Sequence, residues 1–111
     1  MNSRKEELLR TIRPQYIVLK PTILGGFAET EEWIGLAEKN NIGWWLTSML
    51  ESNIGLNAIS QFAAEKAPEV LHGLGTGRLY TNNIDSPLTV QNGHIAYIKS
   101  NKWDYSLFPD I

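Results

Sequence analysis

Tyr16-Ile17-Val18-Leu19-Lys20-Pro21-Thr22-Ile23-Leu24-Gly25-Gly26 is the stretch on which the fold of this chain turns. A run of aromatic, β-branched and apolar residues meets a lysine, then a proline and two glycines. A short apolar run bounded by turn residues predicts a strand, here from Tyr16 to Lys20. Its near-continuous apolar character suits a parallel strand buried on both faces. Lys20 closes the strand, so one amine stands at its C-terminal end, where a loop opens. In parallel α/β folds that end is where ligands bind. Spacing alone leaves two readings of Lys20 open: an amine presented to a ligand, or a lysine leaving the core and stretching to water.

Outward from this stretch the same grammar repeats. Upstream, Ser3 to Ile12 reads as a short helix, with Ser3 and Glu6 at capping-box spacing and Leu8, Leu9 and Ile12 as its apolar face. Pro14 ends it, because the residue before a proline is pushed out of the helical region. A helix with no strand before it is unusual in a βα protein and implies a segment upstream. Downstream, Thr30 to Asn40 reads as a helix with Trp33, Ile34, Leu36 and Ala37 inward. Trp44 to Met49 follows as a strand, on which Trp44 and Trp45 point to opposite faces. Asn53 to Lys66 is a second full helix, apolar at Ile54, Leu56, Ile59, Phe62 and Ala63 and closed by Pro68. Val70-Leu71 then opens a third short strand that runs into Gly73-Leu74-Gly75-Thr76-Gly77.

Strands starting near residues 16, 44 and 70 give a repeat of roughly 26 to 28 residues. Such alternation with helices argues βαβ units, a parallel sheet and right-handed crossovers. The fold class is therefore α/β. The pattern changes after residue 78, so the chain divides into βα units over 1–78 and a different region over 79–111. In the latter, Leu79 to Ile84 and Leu88 to Ile98 read as short strands. Asn92-Gly93 marks a tight turn, hence a hairpin from about Leu88 to Ile98. The tail from Ser100 to Ile111 carries Trp103, Tyr105, Leu107 and Phe108, a density of aromatics that usually packs onto a neighbouring surface.

The chain has 111 residues, 42% of them hydrophobic and 20% charged, which places it among globular single domains and not disordered chains. A net charge of −2 without a basic block argues against nucleic acid or an anionic membrane as partner. There is no cysteine, so neither disulfides nor thiolate metal sites are possible. No apolar run approaches the roughly 18 residues of a membrane span. The charged N-terminus does not read as a secretory signal. These features predict a soluble, cytoplasmic protein.

Lys20-Pro21-Thr22-Ile23-Leu24-Gly25-Gly26 resembles the sixth-strand lysine motif of the o-succinylbenzoate synthases, members of the enolase superfamily similar to muconate cycloisomerases. Gly43-Trp44-Trp45-Leu46-Thr47-Ser48-Met49-Leu50-Glu51-Ser52-Asn53-Ile54-Gly55-Leu56-Asn57-Ala58 and His72-Gly73-Leu74-Gly75-Thr76-Gly77 resemble the motifs that follow it in that family, in the same order. The resemblance covers most of the chain from Tyr16 to about Ile84. It implies a partial TIM-type (β/α) barrel, about three C-terminal βα units of a much longer enzyme. That enzyme performs the Mg²⁺-dependent dehydration of 2-succinyl-6-hydroxy-2,4-cyclohexadiene-1-carboxylate to 2-succinylbenzoate, a step in menaquinone synthesis.

The resemblance further implies that Lys20 is catalytic, one of two lysines flanking the substrate across the barrel. The opposite lysine performs the proton transfers, while Lys20 stabilises the anionic intermediate by its charge. Thr47 and Ser48 are implied to line the substrate pocket and to offer donors to a carboxylate, with Glu51 just beyond the strand. Amides of the glycine loop, Gly73 and Gly75 among them, are implied to bind the succinyl carboxylate. The three carboxylate ligands of Mg²⁺ and the second lysine lie on earlier strands in the family, so no metal ligand is assigned in this chain. Partners follow: a small-molecule substrate, the missing N-terminal part of the barrel and, for the isolated and inactive chain, self-association.

The residues taken by themselves allow blander roles. Thr47 can be an ordinary strand-end threonine, and Ser52 or Asn53 a helix cap. Glu29, Glu31 and Glu32 read as a solvated helix face. The glycine loop lacks the spacing and lysine of a P-loop. His72 and His94 have no local acidic company and read as structural or surface residues, not as a metal pair. Two further functions remain open: an N-acylamino acid racemase or other cycloisomerase-type enzyme on the same scaffold, and a non-catalytic α/β binding module.

Overall fold

The structure is a computed structural model that describes residues 3–74, 83, 85–104 and 106, with Ser3 described by its backbone alone. The elements run α1 (Ser3–Ile12), β1 (Tyr16–Leu19), α2 (Pro21–Leu24), α3 (Phe27–Lys39), β2 (Gly43–Leu46), α4 (Asn53–Lys66), β3 (Leu88–Gln91) and β4 (His94–Tyr97). β1 and β2 pair in parallel, from Tyr16 opposite Gly43 to Leu19 opposite Leu46, with α3 as the crossover between them. β3 and β4 form a separate antiparallel pair. Asn92 and Gly93 connect these strands with φ of 51° and 76°, the left-handed conformation at both central residues that a two-residue hairpin turn requires.

Strand alternation sorts the parallel pair into two faces. Leu19 and Leu46 point toward the helices and join Ile34 of α3, Leu56, Ile59, Phe62 and Ala63 of α4, and Leu74 in one buried cluster. A smaller cluster of Leu9, Leu36, Ala37 and Ile42 seats α1 against α3. Ile17 and Trp44 touch both clusters. The hairpin joins the main core through Leu88 and Ile95. Trp44 is thus the tryptophan on the helix side, and Trp45 lies on the opposite face, its ring against that of Tyr16 at 5.7 Å.

Several expectations are corrected. The third strand is not formed at Val70-Leu71: Leu71 is 90% exposed, and beyond it Gly73 makes a single parallel bridge to Thr47. The described βα region therefore contains a two-stranded parallel sheet extended by one bridge, not three full strands. Part of the expected loop after Lys20 is the helical turn α2, because Pro21 has no N–H to leave unpaired at the first helical position. α3 begins at Phe27 and not Thr30, and β2 ends at Leu46 and not Met49. Periodicity places Leu8, Ile12 and Ile54 on buried faces, yet all three are exposed. In α1 only Leu9 of the expected trio reaches the core, because a ten-residue helix lying on one neighbour buries a narrow stripe. The expected strand over Leu79–Ile84 and most of the aromatic tail lie outside the described residues. Among the described residues, no helix is long and apolar enough to cross a membrane.

Candidate functional site

Lys20 and Thr47 each stand one residue beyond the last β1–β2 pair, Leu19 with Leu46, and so lie level with each other at the C-terminal ends of the strands. The Thr47 N–H donates to the Leu19 carbonyl at 2.9 Å, which carries the ladder past β2. On the other side of β2, the Gly73 N–H donates to the Leu46 carbonyl at 2.8 Å, and the Gly73 carbonyl accepts from the Ser48 N–H at 3.3 Å. The Thr47 hydroxyl donates to that same carbonyl at 2.8 Å. Lys20, Thr47 and Gly73 therefore form a row across the carboxyl ends of three successive strand positions. A Cβ on residue 73 would lie 3.0 Å from Thr47 Oγ1, so glycine is what lets the hydroxyl come this close.

The backbone of Lys20 is fixed while its side chain is exposed. Its conformation is extended, with φ −114° and ψ 97°, and its carbonyl accepts from the N–H groups of Ile23 and Leu24, both at 3.0 Å. Gly25, at φ 101°, ends α2 in the left-handed region. Among the described residues, no carboxylate forms an ion pair with the Lys20 ammonium.

Glu51 braces the site. Its carboxylate accepts a hydrogen bond from the Thr22 hydroxyl at 2.6 Å, which ties the segment after β2 to the segment after β1. A Cβ on Gly55 would sit 2.5 Å from Glu51 Oε2, so the first turn of α4 leaves room for this carboxylate. Ser48 is buried at 5% exposure beneath the row. Gly75 and the rest of the glycine loop lie outside the described residues. Among the described residues, no three His, Asp or Glu side chains gather into a set that could hold a metal ion, so the side chains described here do not make a Mg²⁺ site.

Three contributors to this region are not singled out for it by sequence. Thr22 lies inside the lysine motif, where a hydroxyl two residues past the lysine is the available signal. His72 reads as structural, and the structure shows what it holds. Its Nδ1 accepts from the Leu46 N–H at 3.0 Å and its Nε2 bonds the Ala67 carbonyl at 2.9 Å. Asn83 caps α4, its Oδ1 accepting from the Asn53 N–H at 2.9 Å, while Ser52, one of the two expected caps, stands at the cap position but makes no side-chain capping bond. No local pattern signals a cap that arrives from thirty residues away.

No family model matches the chain. Against curated proteins, it is 53% identical over 90 residues to o-succinylbenzoate synthase of Desulfotalea psychrophila, a match covering 81% of this chain and 24% of that enzyme. It is 32% identical over 71 residues to the o-succinylbenzoate synthase of Vibrio cholerae, covering 64% of this chain and 21% of that protein. Among solved structures, it matches the crystal structure of MenC from Desulfotalea psychrophila with a TM-score of 0.81 and 51% identity, over 85% of this chain and 26% of that one. The chain spans about a quarter of the length of the relatives it matches. By sequence and by fold, it is thus related to the o-succinylbenzoate synthases and corresponds to one segment of that longer enzyme.

Proposed function

We propose that the chain is the C-terminal part of an o-succinylbenzoate synthase and carries the last three βα units of an eight-stranded parallel barrel. The parent enzyme dehydrates 2-succinyl-6-hydroxy-2,4-cyclohexadiene-1-carboxylate to 2-succinylbenzoate in menaquinone synthesis. The observation that carries this reading is the Lys20–Thr47–Gly73 row, a cation beside a hydroxyl and a glycine backbone at the carboxyl ends of parallel strands. Parallel barrels hold their substrates at that end.

In this reading the Lys20 ammonium supplies positive charge to the anion that develops when a proton leaves the substrate. Such charge is worth more in a site closed to water than at an open surface. The proton itself is taken by a lysine elsewhere in the parent. Thr47, Ser48 and the loop bearing Gly73 and Gly75 shape the pocket for the substrate carboxylate. The N–H groups of Thr47, Ser48 and Gly73 are already engaged with backbone carbonyls, so these three position the pocket and do not themselves donate to the ligand. Glu51 holds their segment to Thr22. In this reading Mg²⁺ would be held by carboxylates on earlier strands of the parent, as the resemblance to the family implies. The working compartment is the cytoplasm, and the partners are a small-molecule substrate and the remainder of the barrel.

The exposed sheet face supports a further part of this proposal. Tyr16 and Val18 are open on the side that a closed barrel would fill, and among the described residues β1 pairs along one edge only, with β2. Open edges and apolar faces invite pairing with another chain. The 111-residue chain alone is therefore inactive and self-associates.

The test is Mg²⁺-dependent dehydration by the upstream-extended protein, with and without Lys20→Ala, beside the 111-residue chain. Activity in the extended protein that falls about a hundred- to a thousandfold with the alanine is expected, the range seen when one preorganised electrostatic group is removed. Absence of activity from the short chain is expected too. Activity indifferent to Lys20 overturns the reading.

A further inference from the structure

In a parallel ladder, the bridge between Thr47 and Gly73 places the next hydrogen bond two residues back, where the Leu46 N–H would donate to the carbonyl of Leu71. It does not. The Leu46 N–H donates instead to Nδ1 of His72, the residue between Leu71 and Gly73. The imidazole thus occupies the place of a strand carbonyl, at the point where the ladder toward the third strand ends. Leu46 is fully buried, so its N–H has no recourse to water if the ring leaves. The opposite nitrogen of the ring, Nε2, donates to the carbonyl of Ala67 just past the end of α4.

These two partners dictate the state of the ring. Nδ1 must present a lone pair to a backbone N–H, and Nε2 must carry the hydrogen that the Ala67 carbonyl accepts. Only the neutral imidazole with its hydrogen on Nε2 does both. A proton added at Nδ1 would set two donors face to face. We propose that His72 is a positioning residue for the Thr47–Gly73 row: its neutral imidazole pins residue 73 against β2, and protonation releases that pin. The consequence for substrate binding rests on the synthase reading, whereas the state of the ring does not.

The ring has a route to solvent. It borders a cleft of about 340 Å³ lined by Ser60, Ala63 and Ala64 of α4 and by Val90, His94 and Ile95 of the hairpin. From α4 no charged side chain faces His72 across this cleft, and from the hairpin His94 is the titratable one. From β2 the Trp44 ring lies 6.2 Å away, its indole N–H held by Glu38 of α3.

The experiment is nitrogen-detected NMR of the histidine rings in the full chain, combined with amide exchange at Leu46 and the amide shift of Gly73 as pH is lowered. At neutral pH the His72 ring should carry its hydrogen on Nε2 alone; the opposite tautomer, or a ring averaging between the two, overturns the proposal. His72→Phe keeps an aromatic ring without either bond and should speed Leu46 exchange about tenfold, the loss of one buried hydrogen bond. If that variant does not fold, the tautomer of the unaltered chain still decides. His72→Asn, which offers a non-titrating acceptor in the place of Nδ1, should restore most of the protection. In the unaltered chain and in His94→Gln, Leu46 protection and the Gly73 shift should change together on acidification, and in His72→Asn both should stay flat. A flat profile in the unaltered chain while the ring gains its proton, or an equal drop in His72→Asn, overturns the proposal. None of these readouts requires catalysis, so they fail or succeed separately from the assigned reaction.

Discussion

On one face of the β1–β2 pair, Ile17, Leu19, Trp44 and Leu46 pack beneath α3 and α4; on the other, Tyr16 is 63% and Val18 48% exposed beside the ring of Trp45. The strands are equally apolar in both directions, as strands read from sequence as doubly buried should be. Burial on the helix side is satisfied within these 111 residues. The other side carries Lys20 and Thr47 at its upper rim and faces no described element. One face therefore holds the unit together, while the other leaves apolar side chains open and carries the proposed site at its rim.

The largest effect that tests this contrast is on stability. Leu46→Ala, at a fully buried position, should cost about 3 kcal/mol in chemical denaturation, whereas Val18→Ala on the open face should stay within about 0.5 kcal/mol. Similar losses at the two positions would mean that the open face is covered in solution, and sedimentation would then show by how many copies. Next in size, Gly73→Ala forces Thr47 Oγ1 aside and should cost about 1 kcal/mol. Thr47→Val in the same background should then add less than it does alone, because both remove the same contact.

A smaller effect is expected at the brace. Thr22→Val removes the hydroxyl that Glu51 accepts from and should cost about 0.5 kcal/mol, since the pair is exposed. Exchange should quicken in the segments after both strands; a change confined to one of them would show that the brace does not couple them.

The smallest effect lies at α1, on the packed side. Lys5 bridges Glu29 and Glu32 of α3, and Lys39 of α3 reaches back to Glu6 at 3.0 Å. The hydrogen bond from Lys39 holds the Glu6 carboxyl below its ordinary value, and that from Lys5 does the same for Glu29. Both groups favour folding above the ordinary glutamate range, and that contribution disappears as pH falls through their lowered values. Lys5 is raised, by Glu29 first and then Glu32, so its contribution is complete below the ordinary lysine range and is lost as pH climbs through the raised value. Exchange protection in α1 should accordingly be greatest between those limits, and high salt should flatten the profile because the charges are solvent-facing. A profile insensitive to salt would place the docking of α1 on Leu9 alone.

What could be read in the sequence follows from how local each cause is. Tyr16–Leu19, α4 and the Asn92-Gly93 turn were legible because burial pattern and turn chemistry reside in the residues themselves. Lys20 and Thr47 fell level because strand ends follow from strand starts. Val70 and Leu71 have strand composition, which predicts a third strand, but the Leu46 N–H that such a strand would engage is held instead by the side chain two residues after Val70. Leu8, Ile12 and Ile54 fit a helical period whose far side meets nothing described here, so periodicity overstated their burial. The brace between Thr22 and Glu51 joins residues 29 apart, and no spacing rule pairs them.

The cap on α4 has a consequence in time. Most helices are capped by the residue that precedes them, so they are complete as soon as they are made. α4 takes its capping oxygen from Asn83, after its own fourteen residues and the whole glycine segment have been laid down. Closing that span costs chain entropy before the hydrogen bond returns anything. During synthesis, then, this cap cannot form until residue 83 has been added, so the N-terminus of α4, into which the segment carrying Ser48 and Glu51 leads, is completed by chain made after the helix itself.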